Sequence, residues 1–301
     1  MLRFKAKQIT YKVGRFNIGG DPISTPTALF GSIFYSNQKG IFKNEKKGEI
    51  NKDFIEKLIK NQEAIADKCG LIPGIDLILS NNLNMKQNLD FIFDLTDIPI
   101  MLDIPTIDLK IEAIQYINEQ NLQNRVIYNS LTPESKENEI LELEENKISN
   151  LILLALETQK WTTNARIDVI NDLINKLNSL TSTKFNIFID TCVIDFTSLG
   201  LAMSSMKFLK DKYGYPIGAC PHNAVETWRN LIEKFGKIKK YASLVASTII
   251  LGSGADFILY GPIEFSNLIF PNVAFIKAAH SQLLFDEGKF APSGHPVYKI
   301  G

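Results

Sequence analysis

The stretch YGYPIGACPHNAVETW (residues 213–228) passes from an extended apolar segment directly into a predicted helix, with the polar pair His222–Asn223 at the junction. A short buried strand that leads into a helix is half of a βαβ unit, from which parallel sheets are built. The fold class therefore depends on whether other segments of the chain repeat this strand-to-helix pattern.

Seven further segments repeat it, and each is apolar almost throughout, which is typical of parallel strands covered by helices. The eight predicted strands are 27–34, 74–79, 99–104, 125–130, 150–156, 185–191, 215–221 and 256–261. Eight strand–helix units in 301 residues predict a closed (β/α)8 barrel, and the alternative is an open doubly wound sheet. No GxGxxG motif follows the first strand, which disfavours a dinucleotide-binding sheet.

The segments between the strands have helical character. Residues 52–70 form a predicted amphipathic helix that ends at Gly70, and residues 109–121 carry apolar side chains at spacings of three and four. The acidic stretch 132–147 predicts a solvated helix with its charges on the outer face. We expect one domain over residues 1–301, with 285–301 as a C-terminal tail that either packs on the surface or docks a partner.

Composition excludes several classes of protein. Thirty-three Lys and Arg balance thirty-three Asp and Glu, so the chain lacks the basic surface of a nucleic-acid-binding protein. Three cysteines without CxxC spacing indicate neither a disulfide framework nor a zinc knuckle. No apolar run reaches the ~18 residues of a membrane span and the first residues do not resemble a signal peptide, so we expect a cytoplasmic protein.

Polar residues follow five of the predicted strands at their carboxyl ends: Asp76, Asp103, Asn129, Asp190 and Asn223. Any one of them alone is most simply a helix cap or an Asx turn. Together they predict a single pocket, because the carboxyl ends of barrel strands meet at one mouth. Carboxylates and carboxamides without clustered Lys or Arg suit a flat heterocycle rich in N–H donors, such as an aminopyrimidinone, better than a phosphate.

Other chemistries have weaker support. The three histidines show neither HxH nor HExxH spacing, so we expect no transition-metal site, while a Mg²⁺ site made of carboxylates alone remains open. A thiol nucleophile would require Cys220 with His222, which Pro221 separates.

Six stretches resemble a known family, the H subunit of tetrahydromethanopterin S-methyltransferase, and its relatives that use methyl-tetrahydrofolate. The resemblance runs in order from about residue 10 to residue 280, and its last two blocks are its most specific ones. The stretches are GSIFY (31–35), KKG (46–48), RVIYNS (125–130), FIDTCV (188–193), KYGYPIGACPHNA (212–224) and GADFILYGPIE (254–264).

The resemblance implies a barrel that moves a methyl group between N5 of a reduced pterin and the Co(I) corrinoid of a partner protein, with no tightly bound cofactor of its own. It implies that Asp103, Asn129 and Asp190 hold the pterin ring, that Asp76 supports them, and that Asn223 lies near N5. Asp103 departs from relatives because Ile-Pro-Thr follows it where Ser is common. We expect a homodimer without a membrane span that is able to associate with a membrane complex.

Two further polar residues, His222 and Glu264, each have alternative roles. Adjacent residues in an extended segment point to opposite faces, so we expect Asn223 to face the substrate and His222, the alternative acid, to face away. Glu264 ends the last strand and either faces the mouth or pairs with a neighbouring helix. The competing functions are a condensing enzyme like dihydropteroate synthase and a non-catalytic subunit that docks a corrinoid protein. Folate and methanopterin substrates are not distinguished.

Overall fold

The computed structural model describes residues 2–44, 47–79 and 83–301, so Lys46 of the KKG stretch lies outside the described residues. Twelve strands are present in this part of the chain. In order they are β1 (Thr10–Val13), β2 (Phe16–Gly19), β3 (Ala28–Ile33), β4 (Phe42–Asn44), β5 (Glu49–Ile50), β6 (Ile72–Ile78), β7 (Ile100–Asp103), β8 (Val126–Leu131), β9 (Asn150–Leu154), β10 (Asn186–Asp190), β11 (Ile217–Ala219) and β12 (Phe257–Pro262).

Eight of these strands form a closed parallel barrel, in the order β3-β6-β7-β8-β9-β10-β11-β12. The last strand pairs with the first in parallel, with Phe257 opposite Ala28 and Ile258 opposite Leu29. This pairing closes the sheet, which confirms the (β/α)8 barrel and excludes the open-sheet alternative. All eight predicted segments correspond to the barrel strands.

Helices cover the outside of the barrel and connect its strands. They are α1 (Lys52–Cys69), α2 (Met85–Leu95), α3 (Ile107–Glu119), α4 (Glu137–Glu145), α5 (Thr163–Leu180), α6 (Ser198–Tyr213), α7 (His222–Glu226), α8 (Leu231–Phe235), α9 (Lys239–Gly252), α10 (Ser266–Asp286) and α11 (Val297–Ile300). Helix α1 ends as predicted at Gly70, whose φ of 66° is left-handed.

The acidic helix differs from the prediction at one position. Two of the five glutamates of α4 are exposed and two are half-buried, but Glu139 is only 2% exposed and accepts a hydrogen bond from the hydroxyl of Tyr128 in β8. Burying a carboxylate is unfavourable unless it is paired or hydrogen-bonded, and here the Tyr128 hydroxyl meets that need. The helix therefore joins the barrel wall through this contact.

A hairpin that was not predicted from the sequence seals the amino end of the barrel. Strands β1 and β2 pair in antiparallel fashion, and Val13 and Ile18 are fully buried in the same apolar cluster as Phe188 and Phe257 inside the barrel. The ring of Tyr11 lies 5.5 Å from that of Phe188. The carboxyl end of the barrel is left as the open one.

The end of the chain folds back onto the barrel. After α10, His295 is 2% exposed and its Nε2 lies 3.0 Å from the backbone oxygen of Ile23, while α11 packs against α1 and α10. Within the described residues, one helical segment, Ile263–Asp286, is long and apolar enough to cross a membrane by length and composition alone. It packs against α1 and α9 as part of the outer ring of helices.

Removing the apolar contacts of the hairpin should destabilise the whole barrel. Ile18→Ala deletes part of a fully buried side chain, so we expect the free energy of unfolding to fall by about 2–5 kcal/mol. Ile300→Ala, at a position that is 41% exposed, is the matched control and should change it by less than about 1 kcal/mol. Urea denaturation followed by circular dichroism measures both. Equal losses would show that the hairpin is only loosely attached.

Candidate active site

A cleft of about 650 Å³ lies at the carboxyl ends of the barrel strands. Six of the seven site residues singled out from the sequence line it: Asp76, Asp103, Asn129, Asp190, His222 and Asn223. Strand register brings the first three together, because Asp103 lies opposite Asn129 across β7 and β8, and Asp76 lies one strand earlier. A larger cavity, of about 1,030 Å³, borders the hairpin turn at Gly14 at the other end of the barrel, and none of these residues lines it.

Asp76 is held inside the cleft wall. It is 3% exposed, and its Oδ2 accepts a hydrogen bond of 2.7 Å from the hydroxyl of Ser32 on β3. Among the described residues its Oδ1 is buried without a hydrogen-bond partner. Burial, and then the negative charge of Asp103, raise the pKa of Asp76 to about 8, against the opposing effect of Ser32 and the Asn129 amide. Burial and the charge of Asp103 therefore favour a proton on this pair of carboxyl groups, and the protonated form can donate a hydrogen bond.

Asp190 lies at the end of β10 and accepts a hydrogen bond of 2.7 Å from the backbone nitrogen of Cys192. Burial raises its pKa to about 6, and the Cys192 N–H and the guanidinium of Arg166 oppose this rise. Arg166 comes from α5, is 1% exposed, and donates from one nitrogen to the backbone oxygens of Thr191 and Cys192, both at 2.6 Å. Arg166 thus fixes the loop that follows Asp190 and keeps a positive charge near the Asp190 carboxyl group.

Asp103 has a cation nearby that was not identified from the sequence. Burial raises the pKa of Asp103, and Lys110 of α3 opposes that rise. The ammonium of Lys110 donates to the backbone oxygen of Ser130 at 3.1 Å, lies 3.8 Å from Glu139, and sits 4.6 Å from the ring centroid of Tyr128. Lys110 is therefore already engaged by the barrel wall, which leaves little of its charge for a phosphate.

Asn223 presents a free acceptor to the cleft. Its amide nitrogen donates a hydrogen bond of 3.0 Å to the backbone oxygen of Val193, in the loop after β10. Among the described residues no donor is bonded to its side-chain oxygen, and the residue is exposed at the mouth. Because the nitrogen is already bonded, the carboxamide oxygen is the atom available to a substrate.

The expectation that His222 faces away from the substrate is wrong. Helix α7 begins at His222, so His222 and Asn223 are consecutive helical residues about 100° apart rather than opposite faces of a strand. Both line the cleft, together with Glu226 and Lys239. The predicted strand was too long, because β11 ends at Ala219.

Glu264 lies behind the cleft lining rather than in it. Its Oε1 accepts a hydrogen bond of 3.0 Å from Gln38, whose own oxygen accepts one of 2.7 Å from the backbone nitrogen of Phe34. Among the described residues Glu264 forms no salt bridge to a neighbouring helix, and this amide contact takes its place. Burial and then the charge of Glu264 raise the pKa of Tyr35, which lines the cleft, to about 12.

The chemistry of the cleft is that of a polar pocket for a neutral or cationic ring. Four carboxyl groups, three carboxamides, the imidazole of His222 and the ammonium of Lys239 line it, together with hydroxyl groups that include that of Ser32. Burial raises the pKa of both Cys192 and Cys220, which disfavours a thiolate nucleophile. Over residues 2–44, 47–79 and 83–301, no group of three or more His, Cys, Asp or Glu side chains is placed to hold a metal ion.

Solved structures with the same fold include dihydropteroate synthases. The enzyme from Yersinia pestis superposes with a TM-score of 0.61 at 11% identity, over 91% of this chain and 99% of that chain. The enzyme from Xanthomonas albilineans gives a TM-score of 0.58 at 10% identity, over 90% and 98%. At these identities the likeness shows the fold alone, so the protein is placed in the class of (β/α)8 barrels.

Sequence relatives give the family. The family described as "Tetrahydromethanopterin S-methyltransferase MtrH subunit" matches residues 6–288, and the chain belongs to it. The H subunit of tetrahydromethanopterin S-methyltransferase from Methanothermobacter marburgensis is 30% identical over 311 residues, 100% of each chain. The corresponding protein from Methanopyrus kandleri is 30% identical over 281 residues, 87% of each chain. The protein is a methyltransferase, and the family resemblance drawn from its sequence is confirmed.

Asp76→Asn should make the stability of the ligand-free protein less sensitive to pH. The pKa of Asp76 lies near 8 in the folded protein and at 3.8 ordinarily, so between these values the folded state holds an extra proton and loses stability as the pH rises. Each pH unit in this window lowers the free energy of unfolding by up to about 1.4 kcal/mol. Asparagine keeps an oxygen that can accept from Ser32 but does not titrate.

Urea denaturation of both proteins at pH 5, 7 and 9 measures this effect. As the pH rises, the free energy of unfolding of wild type should fall relative to that of Asp76→Asn. Parallel pH curves would contradict the prediction, because they would mean that Asp76 is already ionised in the folded protein at pH 5.

Proposed function

We propose that this methyltransferase moves a methyl group between N5 of a reduced methyl-pterin, a tetrahydromethanopterin or a tetrahydrofolate, and the Co(I) corrinoid of a partner protein. The single observation that supports this most is the convergence of Asp76, Asp103, Asn129 and Asp190 with Asn223 in one cleft. The relatives described above, which act on tetrahydromethanopterin by name, favour the same substrate class.

The carboxyl groups suit the aminopyrimidinone edge of a pterin, which offers several N–H donors and one carbonyl acceptor. A carboxylate at Asp190 accepts from such donors, while a protonated Asp76 can donate to an acceptor on the same ring. Asn129 can do either. A ring bound in this way neutralises part of the electrostatic cost of placing three carboxyl groups in one buried cleft.

Asn223 suits the reacting end of the substrate. N5 of a methyl-pterin is a poor leaving group unless it carries a proton, because an unprotonated N5 would have to leave as an anion. A carboxamide oxygen accepts a hydrogen bond from a protonated N5 and stabilises the positive charge there. The corrinoid supplies a strong nucleophile, Co(I), and the chain's part is to hold the methyl-pterin with its methyl group toward the open mouth.

The open side of the cleft indicates where a corrinoid protein would bind. The cleft opens at the carboxyl end of the barrel, so a corrinoid carried by another protein can approach the bound pterin from that side. We place the reaction in the cytoplasm and expect a homodimer that docks the corrinoid protein. A subunit that only docks the corrinoid protein would leave the cleft unused and would not turn over methyl-pterin.

The first test concerns binding. Asp190→Ala should weaken the binding of methyl-pterin by ~1.5–3 kcal/mol, because it removes a hydrogen bond to a charged group. Isothermal calorimetry with methyl-tetrahydrofolate and with methyl-tetrahydromethanopterin measures this and identifies the preferred substrate. Asp168→Ala, an exposed carboxylate on α5, is the matched control. Unchanged affinity in a folded Asp190→Ala protein would remove Asp190 from the site.

The second test concerns catalysis. Asn223→Ala should lower the rate of single-turnover methyl transfer to cob(I)alamin by ~10²–10³, because it removes one preorganised polar group from the transition state. Affinity for methyl-pterin should change much less. Asn272→Ala is a close control, since the Asn272 amide also donates to a backbone oxygen, at 2.7 Å, but on the outer face of α10. If rate and affinity fall by the same factor, Asn223 binds the substrate uniformly and does not act in the transition state.

A further inference from the structure

Three side chains in contact with one another, His222, Glu226 and Lys239, lie at the rim of the cleft beside Asn223. The Nε2 atom of His222 lies 2.9 Å from Oε1 of Glu226, and the same oxygen lies 2.5 Å from the ammonium of Lys239. All three residues line the cleft. We propose that His222 is the general acid that protonates N5 of the methyl-pterin, and that Glu226 and Lys239 orient it and connect it to solvent. This inference rests on the methyl transfer proposed above.

The cleft wall is shaped around the imidazole. Gly261 in β12 has a φ of 85°, and a Cβ atom there would overlap Cγ, Cδ2 and Nδ1 of the His222 ring. Phe265 packs edge-on against the same ring, with centroids 6.2 Å apart. A side chain at position 261 would therefore displace the imidazole. Glycine at this position leaves the space that the His222 ring occupies.

The three side chains differ in their exposure to solvent. The His222 side chain is 10% exposed, while those of Glu226 and Lys239 are 43% and 39% exposed. Glu226 and Lys239 are thus in contact with water, while His222 is enclosed in the cleft wall. Among the described residues, Nδ1 of His222 is buried without a hydrogen-bond partner. Because Nδ1 is closed off behind Gly261, Nε2 is the nitrogen that exchanges protons, and it is the atom bonded to Glu226 at the rim.

The proposed step is balanced in atoms and electrons. The imidazolium gives its proton to N5 of the methyl-pterin and becomes neutral imidazole. The bond between N5 and the methyl carbon then breaks with its electron pair passing to N5, which keeps the proton as N–H. The methyl carbon bonds to cobalt, and the oxidation of Co(I) to Co(III) supplies the two electrons of the new bond. A proton from solvent, relayed along Glu226, restores the imidazolium.

Two neighbouring charged groups act on the pKa of His222. Burial lowers the pKa of His222, Glu226 of α7 opposes this, and Lys239 of α9 adds to it. Glu264, in the turn between β12 and α10, is the next acidic residue along that wall. The acid form is lost as the pH rises through the pKa of His222, so methyl transfer should slow with increasing pH. Asp76 is the competing proton donor in the cleft, but it is 3% exposed and is bonded to Ser32 rather than to a half-exposed group that can return its proton.

The test uses His222→Gln, which retains a hydrogen-bond donor for Glu226 but cannot act as an acid in this range of pH. We expect the single-turnover rate of methyl transfer to cob(I)alamin to fall by ~10²–10⁴, while the affinity for methyl-pterin stays within about threefold of wild type. In the variant N5 can take its proton only from solvent, so the rate should fall with rising pH over the whole range, without the wild-type plateau below the pKa of His222. His280→Gln, the same change on α10 outside the cleft, should leave the rate and its pH profile unchanged.

The outcomes separate the two proposals. A wild-type protein that transfers no methyl group from either methyl-pterin to cob(I)alamin overturns the proposed function and this inference together. If wild type is active, a His222→Gln rate within threefold of wild type overturns only the acid role. A lowered rate with an unchanged pH profile also overturns it, since a residue that only packs would behave in that way. His222→Ala, with its rate restored by added imidazole, supports the acid role without relying on glutamine to pack correctly.

Discussion

The parallel pairing of β12 with β3 is the constraint on which the molecule depends. While the sheet is open, its two edges are free, and the carboxyl ends of eight strands are spread along a line. Once Phe257 lies opposite Ala28, those ends form a ring, and short side chains from β6, β7, β8 and β10 face a common space. The site residues therefore come together because the barrel closes. Long side chains are not needed to bridge the strands, so Asp and Asn are long enough.

Placing three carboxyl groups in this ring works against stability, because each is desolvated and each repels the others. Local contacts offset part of this unfavourable term: Ser32 bonds Asp76, Arg166 lies near Asp190, and Lys110 lies near Asp103. The part of the desolvation and repulsion that these contacts do not offset raises the pKa values of the three carboxyl groups. A ligand that carries N–H donors relieves it, so the same electrostatics that weaken the free protein favour a ring of the pterin type.

The sequence was sufficient for the architecture and for the part of the site that comes from strand ends. Apolar runs followed by polar residues are local features, and in a parallel barrel they map directly onto the mouth. The supporting cations were not predictable, because Arg166 and Lys110 belong to helices and reach the cleft only through tertiary packing. His222 was misplaced for a local reason: β11 is three residues long, and a helix begins where continued strand was expected. The hairpin was missed because strands of four residues with mixed polarity give almost no periodic signal.

That hairpin has a consequence for synthesis of the protein. Residues 10–19 leave the ribosome before every barrel strand, yet the rings and aliphatic side chains that receive them include Phe188 in β10 and Phe257 in β12. The apolar surface of the hairpin is therefore covered only after nearly the whole protein has been made, and its contacts join residues far apart in the sequence. A chain that stops short of β10 leaves both the hairpin and the base of the unfinished sheet exposed, which are the surfaces that chaperones bind and that promote aggregation.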